Sequence, residues 1–174
     1  MTILAIDPGS EQSAWVLWDG RRVIRHGKSE NFGLLGGIAM EPLNWADEWL
    51  IADVVVIEWV ASYGMPVGAE VFDTARWAGR YEQAANARRI PTQLVVRRDV
   101  KLHLCGQARA KDGNIRQALI DRFGGKDRAI GRKASPGPLY GLRADEWQAL
   151  ALAVTFHDLR VPDASGAVAA IGGL

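Results

Sequence analysis

Cysteine is almost absent from this sequence of 174 residues, in which Cys105 is the only one. A disulfide within the chain is therefore excluded, and the sequence favours a reducing compartment, which we expect to be the cytoplasm. Long apolar runs are absent too: residues 147–156, the longest near the C-terminus, are too few to span a bilayer and include Gln148. A strand-like run follows Met1 directly, so we expect neither a leader peptide nor a membrane partner.

The sequence has few histidines and almost no net charge. The three histidines, His26, His103 and His157, are scattered along the chain, so we expect no histidine metal site. The net charge is only +1, but residues 97–143 contain twelve Lys or Arg and four Asp, a net charge of +8, and the remaining residues carry −7. This asymmetry indicates a basic face for a polyanion; the alternative is a solvated basic stretch.

Composition and pattern predict one α/β domain. With 48% hydrophobic and 24% charged residues, the chain is an ordinary globular protein, and we expect a single domain over residues 1–160 with a small-residue tail at 161–174. The predicted strands are 2–7, 13–18, 22–26, 54–58 and 93–96, and the predicted helices are 34–50, 69–88, 98–104, 114–123 and 144–159, with a mobile basic loop at 124–142. An antiparallel meander joined to parallel crossover units gives a mixed five-stranded sheet, flanked by helices on both faces, with strand 1 in the middle.

Two of these strands end on a carboxylate. Residues 3–6 read ILAI before Asp7, and residues 54–57 read VVVI before Glu58. Continuous apolar runs indicate strands buried on both faces, and the ends of such strands are where ligands bind in open α/β sheets. Side by side, the two acids repel each other, and a divalent cation relieves that repulsion. Taken singly, either acid is better explained as a solvated strand terminus; the pair, together with the turn that follows Asp7, favours a metal site.

The turn after Asp7 is the sharpest short motif. It reads Asp7-Pro8-Gly9-Ser10, in which Pro8 fixes φ and Gly9 permits a tight turn. Such a turn exposes the carboxylate and brings backbone amides near a phosphate or metal. The motif alone is weak evidence, but here it directly follows a buried strand.

On these motifs, together with the segment around Lys111 and residues 144–153, the chain resembles the RuvC family of Holliday junction resolvases, within the RNase H-like nucleases. The resemblance covers roughly residues 2–157, and the compact length looks more like the phage-type branch. It implies an RNase H-like fold and a homodimeric, Mg²⁺-dependent endonuclease that makes paired nicks in four-way DNA junctions. A phage-encoded protein of this kind would act in the host cytoplasm.

The resemblance also implies a set of catalytic and metal-binding residues. Asp7 and Glu58 match the first two metal-binding acids, and Asp145 matches the first acid of the family's C-terminal D-x-x-D. The second acid of that pair falls on Gln148, a departure that removes one negative charge. The implied site holds two Mg²⁺ ions, with Mn²⁺ as a substitute, bridged by Asp7 and held separately by Glu58 and Asp145. Lys111 matches a basic catalytic residue; the alternative is an ordinary phosphate contact or a solvated lysine.

DNA contacts are expected from two regions. Tyr63 and Met65 lie where the family places a residue that opens the junction centre, although either could equally anchor the loop in the protein. Phosphate contacts are expected from the basic segment, at Arg97, Arg98, Lys101, Arg109, Arg116, Lys126, Arg128, Arg132 and Lys133. The aromatic residues Phe72, Trp77 and Tyr81 of the helix predicted at 69–88 fit either the core or a two-fold dimer contact.

Three other functions compete with junction resolution. A nuclease of the same superfamily could act on flaps, other branched DNA or RNA–DNA hybrids, because fold alone does not decide the substrate. A junction-binding protein with weak catalysis is favoured only by Gln148. An actin-like sugar kinase fragment shares the first strand ending in Asp-x-Gly, but the chain is too short for two such domains.

Overall fold

The core of the protein is one mixed sheet of five strands. The structure is a computed structural model, and it describes residues 1–39, 52–61, 64 and 66–160. The strands are β1 (Ile3–Asp7), β2 (Gln12–Trp18), β3 (Val23–Glu30), β4 (Val54–Trp59) and β5 (Thr92–Val96), arranged in the order β3-β2-β1-β4-β5. The predicted mixed sheet with strand 1 in the middle is therefore confirmed.

Strand β1 is antiparallel to β2 and parallel to β4. Ile3 pairs with Val54 and Ile6 pairs with Ile57 in the parallel register. The next position along this register places Asp7 beside Glu58. The carboxyl ends of β1 and β4 therefore meet at one edge of the sheet, and β5 ends at the same edge because it runs parallel to β4.

Helices cover both faces of the sheet. They are α1 (Asn31–Ala39), α2 (Ala69–Ala87), α3 (Arg97–Cys105), α4 (Asp112–Arg122), α5 (Lys126–Ala129) and α6 (Glu146–Arg160). Successive side chains of a strand point to opposite faces, so Leu4 and Ile6 pack with α1 and α2, whereas Ile3 and Ala5 pack with α3, α4 and α6. This two-sided burial explains why β1 is apolar at every position before Asp7.

Helix α6 lies directly on the central strands. Every residue from Glu146 to Phe156 is buried, as expected for a helix that is enclosed on all sides. Helix α6 begins at the residue after Asp145, so the packing of α6 fixes the position of that acid. None of the helices in the described ranges is long and apolar enough to cross a membrane.

One predicted segment, the loop at 124–142, has a different structure, and two others lie partly or wholly outside the described residues. The loop predicted at 124–142 instead contains α5 and a small hairpin of β6 (Gly131–Arg132) and β7 (Ser135–Pro136). Gly137 makes this possible, because a Cβ there would lie 2.2 Å from the Arg128 carbonyl oxygen. The helix predicted at 34–50 is observed as α1 up to Ala39; residues 40–51 and the tail at 161–174 lie outside the described residues.

Candidate active site

The carboxylates of Asp7 and Glu58 form the centre of the candidate site. Both side chains are largely buried at the carboxyl edge of the sheet, and the Glu58 side chain is only 13% exposed. Burial, reinforced by the negative charge of Glu58, raises the pKa of Asp7 to about 8. Burial also raises the pKa of Glu58, although nearby Arg97 acts in the opposite direction. The protein thus holds two acids where at least one resists ionisation unless a cation is nearby.

Among the described residues, Arg97 is the cation that forms an ion pair with Glu58. Its Nη1 donates to both Glu58 oxygens, at 3.1 and 3.3 Å, and its Nη2 donates to Asp112 Oδ1 at 3.0 Å. Arg97 reaches Glu58 because β5 ends at Val96 beside Trp59 and the chain turns at once into α3. The charge on Glu58 is therefore offset within the protein. Arg97 was predicted as a DNA contact, and in the structure it bridges two acids.

Asp145 lies at the rim of the site. Its side chain is 51% exposed and accepts a hydrogen bond from Lys28 Nζ at 2.7 Å. This contact, the largest influence, raises the pKa of Lys28. Asp145 still acts electrostatically on Asp7, raising its pKa. The structure therefore brings all three predicted acids into one electrostatic neighbourhood, with Asp7 and Glu58 inside and Asp145 at the edge.

The adjacent Glu146 belongs to a different set of contacts. Its Oε2 accepts from the Arg143 backbone N–H at 2.7 Å and lies 2.9 Å from His26 Nδ1. Glu146 therefore caps the start of α6 and is not placed as a metal ligand. Adjacent residues at the start of a helix point in different directions, so Glu146 does not take the place of Asp145.

The donor chemistry fits a magnesium ion at the Asp7–Glu58 pair. Mg²⁺ prefers hard oxygen ligands and is commonly bound by one or two carboxylates together with waters and substrate phosphates. Two largely buried carboxylates whose pKa values are both raised meet that requirement. Within the described part of the chain, however, no group of three or more His, Cys, Asp and Glu side chains is close enough together to hold a metal ion without other ligands. Substrate oxygens would have to complete the coordination.

Gln148 and Lys111 lie at the starts of the helices α6 and α4. Gln148 is buried in the first turn of α6, three residues after Asp145, and lines a cleft that Asp112 also borders. Lys111 is exposed and immediately precedes α4, where its backbone N–H donates to Asn114 Oδ1 at 2.9 Å. Lys111 is the neighbour in the chain of Asp112, and Arg97 pairs with both Asp112 and Glu58.

The other predicted DNA contacts fall into distinct groups. Tyr63 and Met65 lie outside the described residues. Lys101 is half-buried and lowers the pKa of Glu58 electrostatically. The remaining candidates present exposed side chains and are Arg98, Arg109, Arg116, Lys126, Arg128, Arg132 and Lys133.

A buried polar network behind the Asp7 turn was not predicted from the sequence. Ser13 Oγ donates to Asn31 Oδ1 at 2.7 Å and lies 3.0 Å from Tyr81 Oη, which itself lies 3.0 Å from Asn31 Oδ1. Asn31 Nδ2 then donates to the Gly9 carbonyl oxygen at 2.9 Å. These contacts tie the turn after Asp7 to α1 and α2. The available signal was Ser13, a polar residue in an otherwise apolar strand.

The aromatic residues of α2 divide between the core and the surface. Trp77 and Tyr81 are buried in the cluster that packs on β1 and β4, so the core interpretation is correct for both. Phe72 is 66% exposed. Phe32 of α1 is also exposed; its ring meets that of Trp77 edge-on, with centroids 4.9 Å apart.

Comparison with solved structures defines the fold. The Thermus thermophilus RuvC structure matches with a TM-score of 0.58 and 20% sequence identity, covering 89% of this chain and 92% of that chain. The chain has a RuvC-like fold. T. thermophilus RuvC in complex with a Holliday junction substrate matches with a TM-score of 0.55 and 17% identity over the same shares. No family model matches the sequence, and no curated protein matches it in sequence.

Proposed function

We propose that this protein is a structure-selective endodeoxyribonuclease that resolves four-way DNA junctions by paired, metal-dependent hydrolysis of phosphodiesters. The observation that carries the proposal is the buried Asp7–Glu58 pair, held at the carboxyl edge of the sheet in a RuvC-like fold. A pair of acids with raised pKa values at a strand edge is typical of a functional site. The RuvC structure solved with a Holliday junction substrate supports DNA as the polymer.

The proposed metal ligands are Asp7, Glu58 and Asp145. Two Mg²⁺ ions bound there would lower the pKa of a water and offset the negative charge of the reacting phosphate. Asp7 and Glu58 supply oxygens from the ends of two paired strands, and both side chains are only partly exposed there. Asp145 is exposed and paired with Lys28, so it can reorient toward the site when DNA arrives.

Basic residues around the acids orient the substrate in this proposal. Lys111 precedes the N-terminus of α4, where the backbone N–H groups add partial positive charge. A phosphate approaching Asp7 there would be held by an exposed ammonium group and would leave Arg97 free to keep Glu58 ionised. The exposed arginines and lysines of residues 98–133 hold the flanking strands through phosphate contacts.

The decisive experiment is incubation with a synthetic four-way junction and Mg²⁺, using Asp7→Asn as the matched inactive variant. We expect nicks at symmetric positions on two opposite strands, and for Asp7→Asn we expect retained junction binding with at least about a hundredfold slower cleavage. Flap DNA and an RNA–DNA hybrid serve as competing substrates. Equal cleavage of either would favour the broader nuclease function, and continued nicking by Asp7→Asn would contradict the assigned site.

A junction-binding protein with weak catalysis is the second candidate. It is favoured by Gln148, which stands where the family has an acid, and by the lack of any compact three-ligand group among the residues that the structure describes. Calorimetric titration with Mg²⁺ and Mn²⁺ separates the two functions. Failure of both metals to bind in the presence of junction DNA would favour the binding protein.

A further inference from the structure

An open cleft of about 300 Å³ lies between the first turns of α4 and α6. Its walls include Gly113 and Arg116 from α4, Leu142 and Arg143 from the preceding loop, and Trp147 and Gln148 from α6. The volume is at the lower end of the range for small-molecule sites, about 300–1,000 Å³. The wall contains residues on both sides of Asp145 in the chain, so the cleft adjoins the proposed catalytic site.

Gln148 carries the strongest signal for a ligand in this cleft. Gln148 is only 6% exposed. Its side-chain amide makes no hydrogen bond to any other residue that the structure describes. The amide is not among the fully buried polar atoms that lack a partner, so it reaches the solvent of the cleft and is available to a ligand that enters there. An amide both donates and accepts, so a ligand that replaces water at this amide needs a donor and an acceptor close together.

The charges of the cleft favour an anion. Arg116 and Arg143 contribute two positive charges to the wall, whereas its one acid, Asp112, is engaged by Arg97 at 3.0 Å. The guanidinium carbon of Arg116 lies 5.0 Å from the ring centroid of Trp147. That ring is fixed in turn, because its Nε1 donates to the Leu142 carbonyl oxygen at 3.2 Å. Arg116 therefore presents a supported guanidinium face, which is a surface on which nucleobases stack.

We propose that the cleft is a nucleotide subsite that accepts one unpaired deoxynucleotide of the DNA strand beside the scissile phosphate. Arg116 stacks on the base, Arg143 pairs with its phosphate, and the Gln148 amide hydrogen-bonds to the base edge. A glutamine amide matches the paired donor and acceptor of adenine N6 and N7, so the preferred base is adenine. This inference rests on the proposed function, and it adds a sequence preference to it.

Binding is tested without Mg²⁺ on the full chain labelled with ¹⁵N. The side-chain amide resonances of Gln148, assigned by their disappearance in Gln148→Leu, are followed while dAMP, dGMP, dCMP, TMP or inorganic phosphate is added. We expect dAMP to shift these resonances with about tenfold tighter binding than the other nucleotides. Arg116→Ala should weaken dAMP binding by about tenfold, whereas Arg21→Ala, an equal charge change at an exposed turn far from the cleft in the chain, should leave it unchanged.

Three results would overturn the subsite. These are no shift of the Gln148 amide with any nucleotide, the same response to inorganic phosphate as to dAMP, and equal loss in Arg116→Ala and Arg21→Ala. The second readout is a panel of four-way junctions that differ in the base beside the nick. Gln148→Leu should reduce the preference among these bases about tenfold; an unaltered preference would contradict the role of Gln148.

The two proposals fail separately. Binding of dAMP without cleavage of any junction would remove the proposed function and leave the nucleotide site. Paired cleavage of junctions without any nucleotide-dependent shift would retain the resolvase and remove the subsite.

Discussion

The charge balance at Asp7 and Glu58 is the central property at the residue scale. Both carboxylates are buried, and the only cation within hydrogen-bond distance of Glu58 in the described structure is Arg97. Burial disfavours the charged form of an acid, and a like charge nearby disfavours it further. Asp7 has no such cation among the described residues, and burial together with the charge of Glu58 raises its pKa to about 8.

Asp7→Asn should stabilise the metal-free protein in a pH-dependent way. The carboxyl pKa rises from 3.8 unfolded to about 8 folded, so between these values the folded state binds more protons and its free energy of unfolding falls as the pH rises. Each unit of the difference corresponds to about 1.4 kcal/mol, giving a gain of a few kcal/mol for the variant at pH 8 that vanishes near pH 4. Thermal unfolding in EDTA, followed by circular dichroism, measures it.

Asp145→Asn is the matched control, because it makes the same substitution at the exposed acid of the same site. We expect it to change the unfolding temperature little, since exposed ion pairs contribute only about 0–1 kcal/mol. A stability difference between Asp7→Asn and the parent that is the same at pH 4 and pH 8 would contradict the buried-acid account.

Arg97→Gln should increase the affinity for Mg²⁺ once both acids are ionised, which needs a higher pH than in the parent protein because Arg97 lowers the pKa of Asp7 and of Glu58. The guanidinium occupies both oxygens of Glu58, and its charge repels a second cation, so its removal should tighten Mg²⁺ binding by about tenfold. Calorimetry of Arg97→Gln against the exposed neighbour Arg98→Gln measures the effect. Equal affinities in the two variants would show that Arg97 and the metal do not compete.

At the scale of elements, the network of Ser13, Asn31 and Tyr81 connects helices to the catalytic edge. Each residue comes from a different element, β2, α1 and α2, and all three are buried. Asn31 contacts the Gly9 carbonyl oxygen, so the network reaches the turn that follows Asp7. Burial raises the pKa of Tyr81 to about 12, which keeps its hydroxyl protonated at neutral pH.

Tyr81→Phe should loosen the turn after Asp7 without emptying the core. It removes one hydroxyl and leaves Ser13 and Asn31 to pair with each other, at a cost of about 1–2 kcal/mol in stability. If the network positions Asp7, the maximal rate of junction cleavage should fall several-fold while the KM for junction stays constant. Steady-state kinetics with a labelled junction give both values.

Thr155→Val supplies the control for Tyr81→Phe. Thr155 is fully buried in α6, and its hydroxyl has no hydrogen-bond partner in the described structure. Removing that hydroxyl should leave both the stability and the maximal rate unchanged or slightly raised. A rate loss of the same size in both variants would mean that Tyr81 affects only general stability.

The sequence was sufficient to predict the strands that are covered on both faces. Strands β1 and β4 are apolar at each position because both of their faces are covered, and this pattern located Asp7 and Glu58 side by side. Arg97 could not be predicted to turn inward, because its position depends on how the starts of α3 and α4 approach each other. Residues 124–142 were predicted as a loop because they are rich in glycine. In the structure, Gly137 permits close packing of the backbone of an ordered segment.

At the scale of the whole molecule, the basic segment and the exposed phenylalanines of α1 and α2 lie on opposite faces of the sheet. The basic segment begins at α3 and continues through α4 and α5, which pack on the side of the sheet that α6 covers. The exposed rings of Phe32 and Phe72 belong to α1 and α2, on the opposite face. Under the proposed function, we expect the basic face to contact DNA and the opposite face to contact a protein partner.

Paired nicking of a symmetric junction needs two active sites in one particle, and a two-fold dimer is the simplest source of them. We predict that the aromatic surface of α1 and α2 forms that dimer, since Phe72 is 66% and Phe32 is 69% exposed and large exposed apolar side chains that cluster mark interaction sites.

Phe72→Glu should convert a sedimenting dimer into a monomer at micromolar concentration. Its nicks should then become independent, giving single-strand breaks in place of paired ones. Leu159→Glu, an equally drastic change at an exposed apolar residue of α6, should keep both the dimer and the pairing. A Phe72→Glu protein that still sediments as a dimer would place the two-fold contact elsewhere on the molecule.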